Sequence, residues 1–157
     1  MRGQRVLRIK PSSWFTRNVT IFDDAGSAVA EIAFAWFREA GKATIGGSTF
    51  TMRRDGWTGP FVLERNGKTV ASAEKPSPFH RHFMVEYAGK EYDLMAESAF
   101  FRRFVLCDGG NVIGWMAPDH AFTNKAHAAF PAEIPLPVQV FTIWLVLTLW
   151  HRAEKNN

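Results

Sequence analysis

The chain has 157 residues, 46% hydrophobic and 22% charged, which suits one globular domain over residues 1–157 and excludes a wholly disordered chain. Its single cysteine, Cys107, excludes an internal disulfide framework and a multi-cysteine zinc site. The net charge of +4 sits in the first 60 residues, with nine basic and five acidic side chains, and Arg2, Arg5, Arg8 and Lys10 open the chain; nucleic-acid binding would call for denser clustering or a recognition module. Turn signals then follow at short, regular spacing: Asp23-Asp24-Ala25-Gly26, Gly46-Gly47, Asp55-Gly56, Asn66-Gly67, Ala88-Gly89 and Asp108-Gly109-Gly110. Between them, runs rich in β-branched and aromatic residues predict ten strands, over 5–10, 18–22, 28–36, 48–53, 60–65, 69–73, 82–87, 91–95, 101–107 and 112–116. Residues 28–40 also permit a short helix, but the alternation of Ile32, Phe34 and Trp36 favours a strand. Pro76-Ser77-Pro78 marks a loop. Many short strands at about ten-residue spacing predict an antiparallel sandwich or barrel, mainly β, and not a βαβ fold.

The last segment is the most informative. Pro135 and Pro137 introduce an apolar run to Trp150, in which only Gln139, Thr142 and Thr148 are polar. On a helix these three form no continuous stripe, so a helix over about 137–150 must be buried on all sides, in protein or in lipid. A tail-anchored membrane helix is one reading, but its uninterrupted part would span about 20 Å, short of a hydrocarbon core of about 30 Å. The favoured reading encloses the helix in a β-barrel, with Val138, Phe141, Trp144, Leu145 and Leu147 as core positions. Residues 1–30 hold no apolar stretch followed by a small-residue cleavage site, so the expected location is cytoplasmic.

A multi-hairpin chain closing with a hydrophobic helix resembles the tubby-like barrel superfamily, and most of all its small LURP-one-related and phospholipid-scramblase-like members. The resemblance is carried by residues 83–94 (FMVEYAGKEYDL), residues 102–110 (RRFVLCDGG), Gly114 with Pro118, and residues 130–150. It implies a closed antiparallel barrel of about twelve strands around a central C-terminal helix. It points to a non-enzymatic domain peripheral to a membrane, whose partner is an anionic membrane surface, a phosphoinositide or a membrane-associated partner; no cofactor is expected. Tubby domains bind phosphoinositides through basic residues on the barrel surface, and no residue here matches that site one by one. Scramblases carry a cysteine-rich palmitoylation segment and an acidic calcium segment. This chain has Cys107 alone, and only Asp119, Asn124 and Glu133 before the helix, too few for a calcium loop of six to eight oxygens.

The remaining candidates are small constellations. Arg53-Arg54 and Arg102-Arg103 are basic pairs at strand ends that could receive an anionic lipid headgroup, although neighbours on a strand point to opposite faces. His80 and His82 share a strand face and, with His120 and His127, are weak metal candidates without a linking ligand spacing. Cys107 lies beside Asp108 with no adjacent base, which predicts a buried structural thiol. No serine has a nucleophile-elbow context, and Gly46-Gly47 opens a strand, not a phosphate-cradling helix. The leading expectation is a non-catalytic lipid-binding barrel. A small-ligand carrier or enzyme with a cleft on the barrel is the alternative.

Overall fold

A computed structural model describes residues 3–13, 15–76, 81–98, 102–121 and 123–155. Twelve strands run β1 (Gln4–Pro11), β2 (Val19–Asp23), β3 (Ala28–Phe34), β4 (Ala40–Ile45), β5 (Ser48–Arg54), β6 (Phe61–Arg65), β7 (Lys68–Glu74), β8 (His82–Tyr87), β9 (Lys90–Ala96), β10 (Phe104–Asp108), β11 (Asn111–Pro118) and β12 (Ala126–Pro131). Each strand pairs antiparallel with its neighbours in sequence, and β12 pairs with β1 from Gln4↔Pro131 to Ile9↔Ala126, closing the barrel. The helix α1 (Leu136–Lys155) follows.

Ten of these strands answer to the predicted runs; β4 and β12 do not. β4 reads AGKATI and β12 reads AHAAFP, neither with the β-branched or aromatic content that marks an independent strand. Both are held by pairing on two sides, β4 by β3 and β5, β12 by β1 and β11. The third strand stops at Phe34, so Trp36 leaves the predicted strand and stands 74% exposed.

The tight turns lie at one end of the barrel. Gly46-Gly47, Asn66-Gly67, Ala88-Gly89 and Gly109-Gly110 all carry positive φ at both central residues, the geometry whose twist matches paired strands. Ala88 is the costly member, with φ 52° and a Cβ. Ala88→Gly is therefore expected to stabilise the fold by about 0.5–1 kcal/mol, and a fall in melting temperature would contradict the turn geometry. Bulges at Glu64 and Cys107 each precede such a turn, and one at Phe22 precedes the longer β2–β3 turn; all sharpen the local twist.

The helix fills the barrel. Thirteen consecutive residues from Val138 to Trp150 are buried, including the expected core positions Val138, Phe141, Trp144, Leu145 and Leu147. A helix with side chains is about 10–12 Å across, so the wall must give it room. Ala30, Ala43, Ala71, Ala73, Ala126 and Ala128 are all buried on the inner face. Larger inward residues fill the remaining space: Phe61 meets Phe83 edge-on at 5.4 Å and Trp144 at 5.8 Å. Gly41 is required by the same packing, because a Cβ there would lie 2.9 Å from the Ala33 carbonyl oxygen and 3.1 Å from Trp144 Nε1. The polar helix residues have local uses. Gln139 Nε2 donates to the carbonyls of Pro131 (3.1 Å) and Ile134 (2.9 Å), and Thr142 Oγ1 donates to the Val138 carbonyl at 2.9 Å.

The tail-anchor reading is corrected here: α1 is enclosed by the chain's own sheet, and among the described residues no helix is long and apolar enough to cross a membrane.

Candidate functional site

Antiparallel order sorts the connections. The short turns occupy one end, and the β1–β2, β3–β4, β5–β6, β7–β8, β9–β10 and β11–β12 connections leave the strands at the other, where α1 also emerges at His151 and Arg152. Of the seven exposed large hydrophobics among the described residues, four lie on this loop end: Phe15 (80%), Trp36 (74%), Phe37 (101%) and Trp57 (95%). The aromatic content of the sequence points to core, and these four depart from it. Their neighbours in sequence, Arg17, Arg38 and the Asp55-Gly56 turn, were the available signal that they sit in polar loops.

The arginine pairs also reach this end, but across the mouth from each other, since β5 and β10 are five steps apart in a ring of twelve. Arg53 points outward and is held by Glu64 (2.7 Å) and Asp55 (3.3 Å). Arg54 lies over the Phe61 ring at 5.2 Å, donates to the Gly59 carbonyl at 3.3 Å and stands 4.0 Å from Glu39. On the far side, Arg102 stacks on Trp150 at 4.5 Å, whose Nε1 donates to the Arg102 carbonyl at 3.0 Å. Arg103 pairs with Glu97 at 2.8 Å and covers Trp115. Of the opening basic residues, Arg8 and Lys10 face outward on β1, Lys10 towards the loop end, and Arg2 lies outside the described residues.

The histidines are dispersed. His80 lies outside the described residues, His82 Nε2 is 2.9 Å from Asp93, and His127 Nδ1 is 2.5 Å from Asp119. Among the described residues no three potential metal ligands come together. Cys107 is buried, and desolvation, with Asp93 adding to it, pushes its thiol up, away from the reactive thiolate.

Two cavities open at the loop end. An outer cleft of about 940 Å³ lies between the β3–β4 and β5–β6 connections, with Gly41, Met52 and Arg54 in its walls and Phe37 and Trp57 at its rim. An inner chamber of about 220 Å³ lies against the end of α1, walled by Trp144, Thr148, His151 and Arg152. The segment Phe34–Ala40 borders both. Glu39 fastens it to the helix, accepting two hydrogen bonds from the Arg152 guanidinium in a bidentate pair. Trp144 Nε1 is buried with no acceptor among the described residues, an arrangement that costs about 1–3 kcal/mol.

His151 packs edge-on against Phe34 at 5.0 Å. Burial, then Arg17 and Lys155, lower its pKa from 6.5 to about 4. Between these values the unfolded chain takes up a proton that the folded chain refuses, so stability is present above pH 6.5 and is lost as pH falls towards 4. Allowing for its partial exposure, the loss is about 1–2 kcal/mol. His151→Leu is expected to flatten the melting-temperature profile over that interval; a variant that keeps the wild-type slope refutes the assignment.

No protein-family model matches the chain, and no curated protein matches it. A solved structure described as the X-ray structure of protein from Arabidopsis thaliana AT5G01750 is similar, with a TM-score of 0.59 over 92% of this chain and 88% of that one, at 14% identity. At that identity the likeness is one of fold: a closed twelve-stranded barrel with a C-terminal helix.

Proposed function

We propose that the chain is a non-catalytic barrel of the tubby-like, LURP-one-related kind that docks its loop end on anionic phospholipid surfaces. The observation that carries this reading is the grouping of four exposed aromatic side chains with Arg17, Arg38, Arg54, Arg102 and Arg152 at a single end of the molecule. Aromatic side chains partition into the headgroup region, where an apolar ring and a polar surrounding are both satisfied. Each arginine held near an anionic surface adds about 1 kcal/mol, and this part weakens with salt. The opposite end, built mainly from two-residue turns, offers no comparable apolar rim among the described residues. The similar plant fold supports the architecture within this reading.

Vesicle sedimentation tests it. The protein is expected to pellet with vesicles containing phosphatidylserine or a phosphoinositide, to remain largely in solution with phosphatidylcholine alone, and to lose binding as salt rises. Equal, salt-insensitive binding to both vesicle types rejects the proposal.

A further inference from the structure

The rim accounts for the exposed aromatics but not for the charge arrangement beneath them. Two arginines meet one carboxylate, and a lysine lies close by. Arg152 holds Glu39 in a bidentate pair, and Arg54 stands 4.0 Å from the same carboxylate. Lys75 lies next to them without touching Glu39: it makes no ion pair among the described residues, and its ammonium lies 6.0 Å from the centre of the Phe83 ring, which meets Phe61 edge-on at 5.4 Å. Arg54 and Arg152 both lie over Phe61, at 5.2 and 5.9 Å, so the cluster rests on an aromatic floor. Beside it, in the wall that also contains Glu39 and Arg152, the Trp144 indole N–H has no acceptor among the described residues.

We propose that this cluster is a binding site for a phosphomonoester attached to an apolar group, and that Glu39 occupies it as an internal stand-in. The deepening rests on the lipid-surface reading only for the origin of the ligand. The chemistry follows from matching donors to acceptors. A carboxylate brings one negative charge and two oxygens, and three cations with a fourth N–H donor exceed what it can satisfy. A phosphomonoester carries about −1.5 to −2 charges near neutral pH and three acceptor oxygens. It meets Arg54, Lys75 and Arg152 together, and it offers an acceptor on the side of Trp144. Burial first, then Arg152 and Arg54, lower the pKa of Lys75 against the opposing pull of Glu39, so an added anion would favour its charged form. Glu39 is a third exposed and ends a loop, so it can leave. The apolar group then has the outer cleft, with Met52 and Gly41 in its wall. Displacing Glu39 also frees the segment that bears Trp36 and Phe37.

Calorimetric titration with soluble probes separates this site from membrane docking. Phenyl phosphate is expected to bind the full chain saturably at one site, at least tenfold tighter than inorganic phosphate or benzoate. Glu39→Gln, which keeps the shape of the stand-in and removes its charge, is expected to tighten phenyl phosphate several-fold. Arg54→Gln and Lys75→Gln, separately, are expected to weaken it about tenfold. A merely structural Glu39 would lower the melting temperature without tightening the probe. The indole proton resonance that disappears in Trp144→Phe is expected to move during the titration. No saturable binding to either wild type or Glu39→Gln overturns the site, as does binding indifferent to Glu39, Arg54 and Lys75. Vesicles with phosphatidate, compared with phosphatidylserine at equal surface charge, identify the source: a preference for phosphatidate that Lys75→Gln removes assigns a membrane lipid. Binding of phenyl phosphate without that preference assigns a free compound. If phosphatidylserine docking persists while every phosphate probe fails, this site falls and the surface reading stands.

Discussion

A chain ending at Glu133 is expected to show no cooperative thermal transition and to aggregate or bind hydrophobic dyes. The reason is that the barrel has no other core. Its inner face is lined with small residues such as Ala43, Ala71, Ala73 and Ala128, shaped for a helix and unable to meet across the lumen without it. Val138 to Trp150 are all buried. Burying about nine large apolar side chains at about 1.5–3 kcal/mol each is worth on the order of 15–25 kcal/mol before entropy, more than the whole net stability of a typical domain. A milder version keeps the helix: Phe141→Ala, at a fully buried position stacked 6.1 Å from Trp144, is expected to cost about 3–5 kcal/mol. Denaturant unfolding reads both. A truncated chain that melts at the wild-type temperature contradicts the enclosed-helix architecture.

The second large effect concerns the rim. Replacing Trp36, Phe37 and Trp57 together by alanine is expected to lower the affinity for phosphatidylserine vesicles about 100-fold, with little change in melting temperature. Their exposures of 74%, 101% and 95% leave them almost no part in the core, so stability has little to lose. Partial burial of each ring in the headgroup region at about 1 kcal/mol gives about 3 kcal/mol together, hence the expected factor. The residual binding should remain salt-sensitive, because the arginines at the same end are untouched. Undiminished vesicle affinity in the triple variant would remove the rim from the interface.

Much of the architecture was legible in the order of residues. Glycine-centred turns such as Asn66-Gly67 and Gly46-Gly47 force positive φ locally, so the hairpins they close announce themselves. The apolar run from Val138 to Trp150 has no polar stripe, so its complete burial follows from its composition alone. The fourth and twelfth strands were not legible, because their alanines and Gly41 serve the interior packing around α1 and are poor strand formers by themselves.

The candidate site was legible only in fragments. Arg53-Arg54 and Arg102-Arg103 stand out as pairs, yet the fold divides each pair and sets the two across the mouth from each other. Glu39, Lys75 and Arg152 come from a loop, a strand end and the final helix, with nothing in their spacing to link them. The sequence by itself determined that strands would be joined by tight turns and that one helix would be hidden, because turn geometry and burial of an apolar run are decided by neighbouring residues. Only the tertiary structure decided which aromatics face water and which cations share one carboxylate, because those relations depend on barrel closure bringing distant segments to the same end.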